Sequence, residues 1–347
     1  MVQIITTPDA DSKSSGPCEM DSLVTGESLV RELGLPTELL PQINLAAQTW
    51  PIQLPRQLLD RIERGNPEDP VLRQFLPVAS ELEDVPGFTR DPLEESGQQS
   101  GLLRKYAGRA LVLTSAQCFA RCRYCFRRFA QAEHALFATT HPEGKLPDFA
   151  RFLQAVTEDT SIRELILSGG DPLAVTNLEL KHLFHYIKTI PHVNRVRLHT
   201  RAAILVPERV DDGLQALFID WLSQKTKKNS LFIVFHINHP HELCDEVYHM
   251  FDRLRALGGV LLSQTVLLKR VNDSADVLAN LFTRLTDHGV LPYYLHQLDR
   301  VAGAAAFEVP EDEGRLLIEQ LRNRLPGYAV PRYVREMPGC PCKTSLG

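Results

Sequence analysis

Three cysteines, Cys118, Cys122 and Cys125, stand at a C-x3-C-x2-C spacing, with Tyr124 just before the third. No fourth cysteine follows nearby. A thiolate cage for a four-iron cluster normally takes four Cys ligands. Three close thiolates leave one iron open, and that iron can bind and activate another molecule. A structural zinc site wants four ligands, usually in C-x2-4-C pairs, and here the fourth would have to be a distant His or Cys. A disulfide framework fits less well, because seven Cys is an odd count spread over 347 residues with no export signal at the start. Clustered thiols in a reduced chain point to metal binding or catalysis. The expected compartment is the cytoplasm.

Other chemically able residues lie along the chain. Arg121, Arg123, Arg127 and Arg128 surround the cysteines, and guanidinium groups bind carboxylates in two-point contacts. Each of them could equally be part of a solvated basic loop. Ser168-Gly169-Gly170-Asp171 follows an apolar run, and paired glycines let backbone come close to a ligand. Near the end, Glu336-Met337-Pro338-Gly339-Cys340-Pro341-Cys342-Lys343 is dense in Pro and Gly. Such a stretch holds a fixed path rather than a helix, and could present Lys343 inward. One such lysine can hold pyridoxal phosphate (PLP) as a Schiff base. Lysines are mostly exposed, so residue type alone favours a surface role.

These groups need a scaffold. Apolar residues make up 44% and charged ones 23%, with net charge −5, which is ordinary for a globular protein. Nothing in that balance attracts nucleic acid, and no apolar run is long enough to cross a bilayer. Residues 1–22 read as a flexible polar tail that includes Cys18. Residues 23–100 read as a small helical region and an acidic, turn-rich connector, with Leu58, Leu59 and Ile62 at helical spacing before Gly65-Asn66-Pro67. From about Gly101, strands at 110–113, 165–167, 196–198, 231–234, 260–262 and 292–295 alternate with helices near 147–157, 178–189, 208–223, 241–257 and 275–288. That alternation argues an α/β fold with a parallel sheet. Six units are too few for a closed eight-fold barrel, so an open, six-stranded, TIM-like partial barrel is expected over 101–300. Residues 301–347 then form a C-terminal segment. The Lys225-Thr226-Lys227-Lys228 run reads as a solvated loop.

The C-x3-C-x2-C motif resembles that of the radical S-adenosylmethionine (SAM) enzymes, whose open iron chelates SAM. From about Asp91 to Lys343 the chain resembles the lysine 2,3-aminomutase family, which also uses PLP. The ordered blocks are Asp91-Pro92-Leu93, Gly101-Leu102-Leu103-Arg104-Lys105-Tyr106, the cysteines with Phe126-Arg127-Arg128, Ser168-Gly169-Gly170-Asp171, His199-Thr200-Arg201, Pro292-Tyr293-Tyr294 and Gly327-Tyr328-Ala329-Val330-Pro331. The resemblance implies that Cys118, Cys122 and Cys125 hold a [4Fe-4S] cluster and that Lys343 holds PLP. It implies a phosphate site at Lys105, Tyr106 and Arg109, and SAM contacts at Ser168, Gly169, Gly170, Asp171, His236 and Gln264. Arg127 would bind the carboxylate of L-lysine, and Asp299 and Glu336 its ε-ammonium. Arg64-Gly65-Asn66-Pro67 and Asp69-Pro70 with Leu72-Arg73-Gln74 resemble the subgroup that makes (R)-β-lysine for elongation factor P. That subgroup implies an electron donor such as flavodoxin or ferredoxin, and the elongation factor P lysine ligase as a partner.

The chain departs from the family pattern in three places. Cys340-Pro341-Cys342 stands where the family shows a glycine run. Glu336 stands where longer aminomutases have an aspartate. The chain stops soon after Lys343, so the assembly of the longer relatives does not carry over. Alternative readings are an aminomutase making a free β-amino acid, a radical SAM enzyme without PLP, and a zinc-stabilised binding module.

Overall fold

The computed structural model describes residues 21–95, 102–129, 150–224 and 228–347. Cys18 with most of the tail, Gly97, Gly101, the start of the 147–157 helix and Lys225-Thr226-Lys227 lie outside the described residues.

The N-terminal region opens with β1 (Ser22–Leu23), α1 (Gly26–Leu33) and α2 (Leu40–Ala47), and β1 pairs antiparallel with β2 (Leu54–Pro55). Helix α1 starts in a Thr25/Ser28 capping box and ends on Gly34 at φ +65°, a left-handed stop that glycine supplies without a Cβ clash. The spacing of Leu58, Leu59 and Ile62 predicted an α-helix, whereas Arg56–Arg61 is a 3-10 helix. Pro55 precedes it, and a 3-10 turn buries Leu58 and Leu59 as well. Further short 3-10 turns carry the chain to Leu82.

Among the described residues, nine strands form the main sheet, in the order β11-β10-β9-β8-β7-β6-β5-β4-β3. They are β3 (Leu102–Tyr106), β4 (Arg109–Ser115), β5 (Glu164–Gly169), β6 (Arg195–Thr200), β7 (Ser230–His236), β8 (Val260–Val266), β9 (Leu291–His296), β10 (Arg332–Arg335) and β11 (Thr344–Ser345). β4 to β9 are the six expected strands, and β10 joins β9 as a further parallel strand. β3 pairs antiparallel with β4, and β11 with β10. The crossovers are α3 (Ala150–Glu158), α4 (Asn177–Thr189), α5 (Ala202–Leu205) with α6 (Asp212–Leu222), α7 (Asp245–Ala256), α8 (Ala275–Asp287) and α9 (Glu311–Arg322).

Four of these helices bury the same i, i+3, i+4, i+7 stripe. It is Leu180, Leu183, Phe184 and Ile187 in α4, and Leu214, Leu217, Phe218 and Trp221 in α6. In α7 it is Val247, Met250, Phe251 and Leu254, and in α8 Leu278, Leu281, Phe282 and Leu285. Each such side chain contributes roughly 1.5–3 kcal/mol on burial, which presses the helices onto the outer face of the sheet. Strand residues facing them, such as Leu165, Leu167, Leu231, Ile233 and Phe235, are buried in the same core.

The alternate residues face the other way, and all of β3 to β11 contribute to one cavity of about 470 Å³. A flat sheet could not do this, so the sheet curls into an open, TIM-like partial barrel. Tyr106 on one edge strand donates a hydrogen bond to Glu336, which lies between β10 and β11 at the other edge, at 2.5 Å. Side chains thus bridge the seam that backbone pairing leaves open. No described helix is long and apolar enough to cross a membrane.

Candidate active site

The cysteine loop leaves the C-terminal end of β4, where α/β folds place their chemistry. Cys118, Cys122 and Cys125 all line the cavity. The N-terminal region, read from sequence as a small helical region, grips this loop through its backbone. Gln53 donates to Cys118 O at 2.8 Å and its carbonyl accepts from Arg121 N at 2.9 Å. Trp50 Nε1 donates to Cys122 O at 3.1 Å, and Gln74 O accepts from Arg123 N at 2.9 Å.

Three of the four arginines around the cysteines are occupied in this grip. Arg123 and Arg128 share the buried carboxylate of Glu81, at 2.7 and 3.0 Å. Arg121 stacks on Trp50 at 4.6 Å. Only Arg127 among the four lines the cavity.

The Ser168–Asp171 turn braces the loop from the other side. Gly169 lies at φ +114°, and a Cβ there would meet Ser115 O at 2.5 Å. A Cβ on Gly170 would meet Gln117 O at 2.2 Å. The glycines therefore admit the backbone leading into Cys118, beside which Asp171 N donates to Gln117 O at 2.8 Å. Asp171 accepts from Leu173 N, Thr200 Oγ1, Arg201 N and Ala202 N. Its oxygens tie β5 to β6, while burial pushes its carboxyl up. The glycines and Asp171 also line the cavity.

Period two along the strands puts His199, His236, Gln264 and His296 inside. His236 and Gln264 are directly opposite in the β7–β8 ladder. Burial pushes His199, His236 and His296 well below the usual imidazole range. His236 meets Tyr124 Oη at 3.0 Å. Among the described residues, His199 Nε2, His296 Nε2 and Arg201 Nε are buried without a hydrogen-bond partner. All three residues line the cavity, where a bound molecule can supply the missing partners.

The hairpin β3–β4 brings Lys105, Tyr106 and Arg109 to the cavity wall. Lys105 and Tyr106 are neighbours and should face opposite ways, but the pairing register shifts between Leu103 and Tyr106, and such an irregularity re-aims side chains. Arg109 lies over the Tyr106 ring at 4.5 Å.

Lys343 arrives by a second hairpin. Arg335 pairs with Thr344, so Glu336 and Lys343 sit opposite each other at the next step, and their side chains form an ion pair. The Pro- and Gly-rich stretch is the connection between these strands. Burial pulls the Lys343 amine down to about 8 and pushes Asp299 up to about 6. Cys340 and Cys342 are exposed free thiols, and Cys342 touches the cavity wall.

Sequence reasoning missed Glu95, in the acidic connector. Arg127 donates to both its oxygens, at 2.7 and 3.1 Å, and Lys105 Nζ lies 2.9 Å away. Burial opposes ionisation of Glu95, yet Arg127 and Lys105 win and hold it at about 2. Adjacent Asp91, Glu94 and Glu95 look alike in sequence, so no local signal marks the third.

The thiols fit an iron–sulfur cluster by donor type. Burial pushes Cys118 well above the usual thiol range and Cys125 to about 11, so ionising them needs metal charge nearby. Among the described residues, no three His, Cys, Asp or Glu side chains could hold a single metal ion. A cluster that places each thiolate on its own iron does not need them to converge on one point.

No family model matches the chain. The chain is 39% identical over 346 residues to L-lysine 2,3-aminomutase of Escherichia coli (strain K12), covering 99% of this chain and 97% of that one. It is 36% identical to L-lysine 2,3-aminomutase of Haemophilus influenzae, covering 91% and 90%. Against L-lysine 2,3-aminomutase of Clostridium subterminale it is 32% identical over 290 residues, covering 83% of this chain and 67% of the other. A radical SAM methyltransferase from Sphaerobacter thermophilus aligns over 52% of this chain and 54% of that one at 19% identity and a TM-score of 0.34, too distant to carry an argument. Relatedness of this extent along nearly the full length means that the chain belongs to the L-lysine 2,3-aminomutase family.

Proposed function

We propose that this chain isomerises L-lysine to (R)-β-lysine, and that the product goes to modification of elongation factor P. Family membership makes it an isomerase whose chemistry takes a [4Fe-4S] cluster, SAM and PLP. The observation that carries the substrate reading is a single cavity lined by the three thiols, Lys343, Arg127, Asp299 and Glu336 together.

Cys118, Cys122 and Cys125 would hold the cluster, and His236, Gln264 and the Ser168–Asp171 turn would face SAM. Lys105, Tyr106 and Arg109 would take the PLP phosphate, since two cations and a hydroxyl suit a dianion. Lys343 would hold the cofactor's carbonyl carbon, and its depressed amine keeps a neutral nucleophile available near pH 8. When bound, the cluster and SAM supply a primary alkyl radical and PLP supplies a π-system that spreads the unpaired electron.

The remaining work falls to the chain. Arg127 orients the lysine carboxylate and so fixes which carbon of the chain faces the radical source. Asp299 and Glu336 receive the ε-ammonium. A neutral or anionic side chain would leave buried Asp299 without a cation of its own and bring no partner to Glu336, and a broken buried pair costs several kcal/mol, roughly 3–5. Glutamate is disfavoured on this ground.

The elongation factor P destination is supported by the likeness of residues 64–74 to that subgroup. An electron donor such as flavodoxin or ferredoxin, the elongation factor P lysine ligase as partner, and a reduced cytoplasmic setting accompany this reading. An anaerobic assay with L-lysine, reporting the chirality of the product, tests the reaction. (R)-β-lysine is expected, and conversion of glutamate in preference to lysine would sink it. Deleting the gene in its host should remove one lysyl mass from elongation factor P, and an unchanged mass would direct the product to a free pool.

A further inference from the structure

Arg201, from the His199-Thr200-Arg201 block, has no place in the reaction described above. It follows the last residue of β6 and is buried, with 8% of its surface exposed. Asp171 fixes its backbone N at 2.7 Å, and its guanidinium packs over Phe75 at 4.6 Å. Nη1 donates to Cys122 Sγ at 2.8 Å and also to Tyr124 Oη. Nη2 donates to Gln74 Oε1 at 2.6 Å and to Glu242 Oε2 at 3.1 Å. Glu242 is fully buried and is itself braced by Gln74 Nε2 and by the backbone N of Asn238 and His239. Among the described residues, Cys122 alone of the three thiols accepts a hydrogen bond from a charged side chain.

A guanidinium keeps its charge at any working pH. Donated to a thiolate bound to iron, it draws electron density from the sulfur and offsets the negative charge of the cluster. Hydrogen bonds to sulfur and net charge are among the levers that set cluster potential. Adding an electron makes the cluster more negative, so a fixed cation beside it favours the reduced form. Glu242 works in the opposite sense, partly neutralising that cation in a medium where charges are weakly screened.

We propose that Arg201 is a positioning residue that sets the reduction potential of the iron–sulfur cluster through Cys122, with Glu242 moderating its charge. This rests on the reading of Cys118, Cys122 and Cys125 as cluster ligands, and not on the identity of the substrate. The balance is one electron in, with the cluster charge falling by one, and no bond made or broken at Arg201. The electron comes from the flavodoxin- or ferredoxin-type donor in the cell and from dithionite in the test.

The test is a potentiometric titration of the reconstituted full-length chain, followed by the electron paramagnetic resonance of the reduced cluster, without PLP or lysine. Arg201→Gln should lower the reduced-to-oxidised ratio at a fixed potential at least tenfold, which is 59 mV for one electron. Arg201→Lys, which keeps the charge, should recover most of that change, and Glu242→Gln should move the ratio the other way. If Arg201→Gln takes up no cluster, Glu242→Gln and Arg201→Lys carry the test. A Glu242→Gln ratio that is unchanged or lower overturns the proposal, as does an Arg201→Gln ratio equal to wild type. Wild-type chain that takes up no iron would instead overturn the cluster reading beneath it.

Discussion

Glu95→Gln is the perturbation with the most direct energetic content. Glu95 accepts both guanidinium contacts of Arg127 and lies against Lys105. Its carboxyl is held at about 2 rather than the ordinary 4.5. At 1.36 kcal/mol per pH unit, this linkage is worth about 3 kcal/mol. The folded value is depressed, so the contribution is fully present above pH 4.5 and is lost as pH falls through about 2. Removing one partner of a buried pair independently predicts a loss of roughly 3–5 kcal/mol. Glutamine keeps the shape but takes its anion from Arg127, and among the described residues leaves Lys105 with Glu336 at 3.7 Å. Before PLP is added, the variant should therefore unfold at lower urea, by about 3 kcal/mol. The same arithmetic reverses when an anion arrives. A phosphate at Lys105 or a carboxylate at Arg127 must displace or share the wild-type Glu95 contacts, and meets no such competitor in the variant. PLP and lysine should stabilise Glu95→Gln more than wild type, with affinity up to roughly 100-fold tighter if the whole difference is recovered. Urea titrations with and without the two ligands read both numbers. Equal stability without ligand, or equal ligand-induced gains, would show that Glu95 does not compete for these cations.

Two further outcomes follow from the far end of the cavity. Asp299 is held at about 6 by burial and must be ionised to receive an ammonium, so kcat/KM for lysine should fall tenfold per pH unit below about 6; a profile flat to pH 5 would remove Asp299 from the substrate. Lys343→Ala should abolish covalent attachment of PLP and turnover while leaving iron content unchanged, and in wild type attachment should accelerate through about pH 8 rather than 10.5; continued turnover by the variant would refute its assignment.

The parallel strands and their helices were legible because each rests on a local signal that tertiary structure amplifies. Short apolar runs bounded by turns alternate with the i, i+3, i+4, i+7 stripes of α4, α6, α7 and α8. β3 was not legible as a strand, since Leu102-Leu103 gives way at once to Arg104 and Lys105, and only the register shift against β4 explains that order. β10 escaped for a similar reason, with arginine at both ends of four residues. The arginines around the cysteines show the limit from the other side. Arg123 and Arg127 are the same residue type four positions apart, yet one is buried against Glu81 and the other faces the cavity. Residue type says that a carboxylate partner is needed, and only the fold says whose carboxylate it is.

The position of Lys343 makes the same point about distance along the chain. Its sequence neighbours are a Pro- and Gly-rich turn, which fixes a path but not a destination. The destination comes from β11 pairing with β10, which is itself paired in parallel with β9. That places the lysine and Glu336 at one edge of a sheet whose other edge is the Lys105–Tyr106 strand. The contacts across this seam, Tyr106 to Glu336 at 2.5 Å and Lys105 to Glu336 at 3.7 Å, are made by groups proposed to hold phosphate and ammonium. On that proposal, barrel closure and ligand binding draw on the same side chains. A ligand that bridges Lys105, Tyr106 and Glu336 ties the edges together, and at 100 times its Kd adds about 2.7 kcal/mol to the folded state. A ligand that engages only one edge takes contacts from the seam and returns fewer. On the proposed assignment the two ends of the site should fill in concert, because each end supplies part of what holds the other in place.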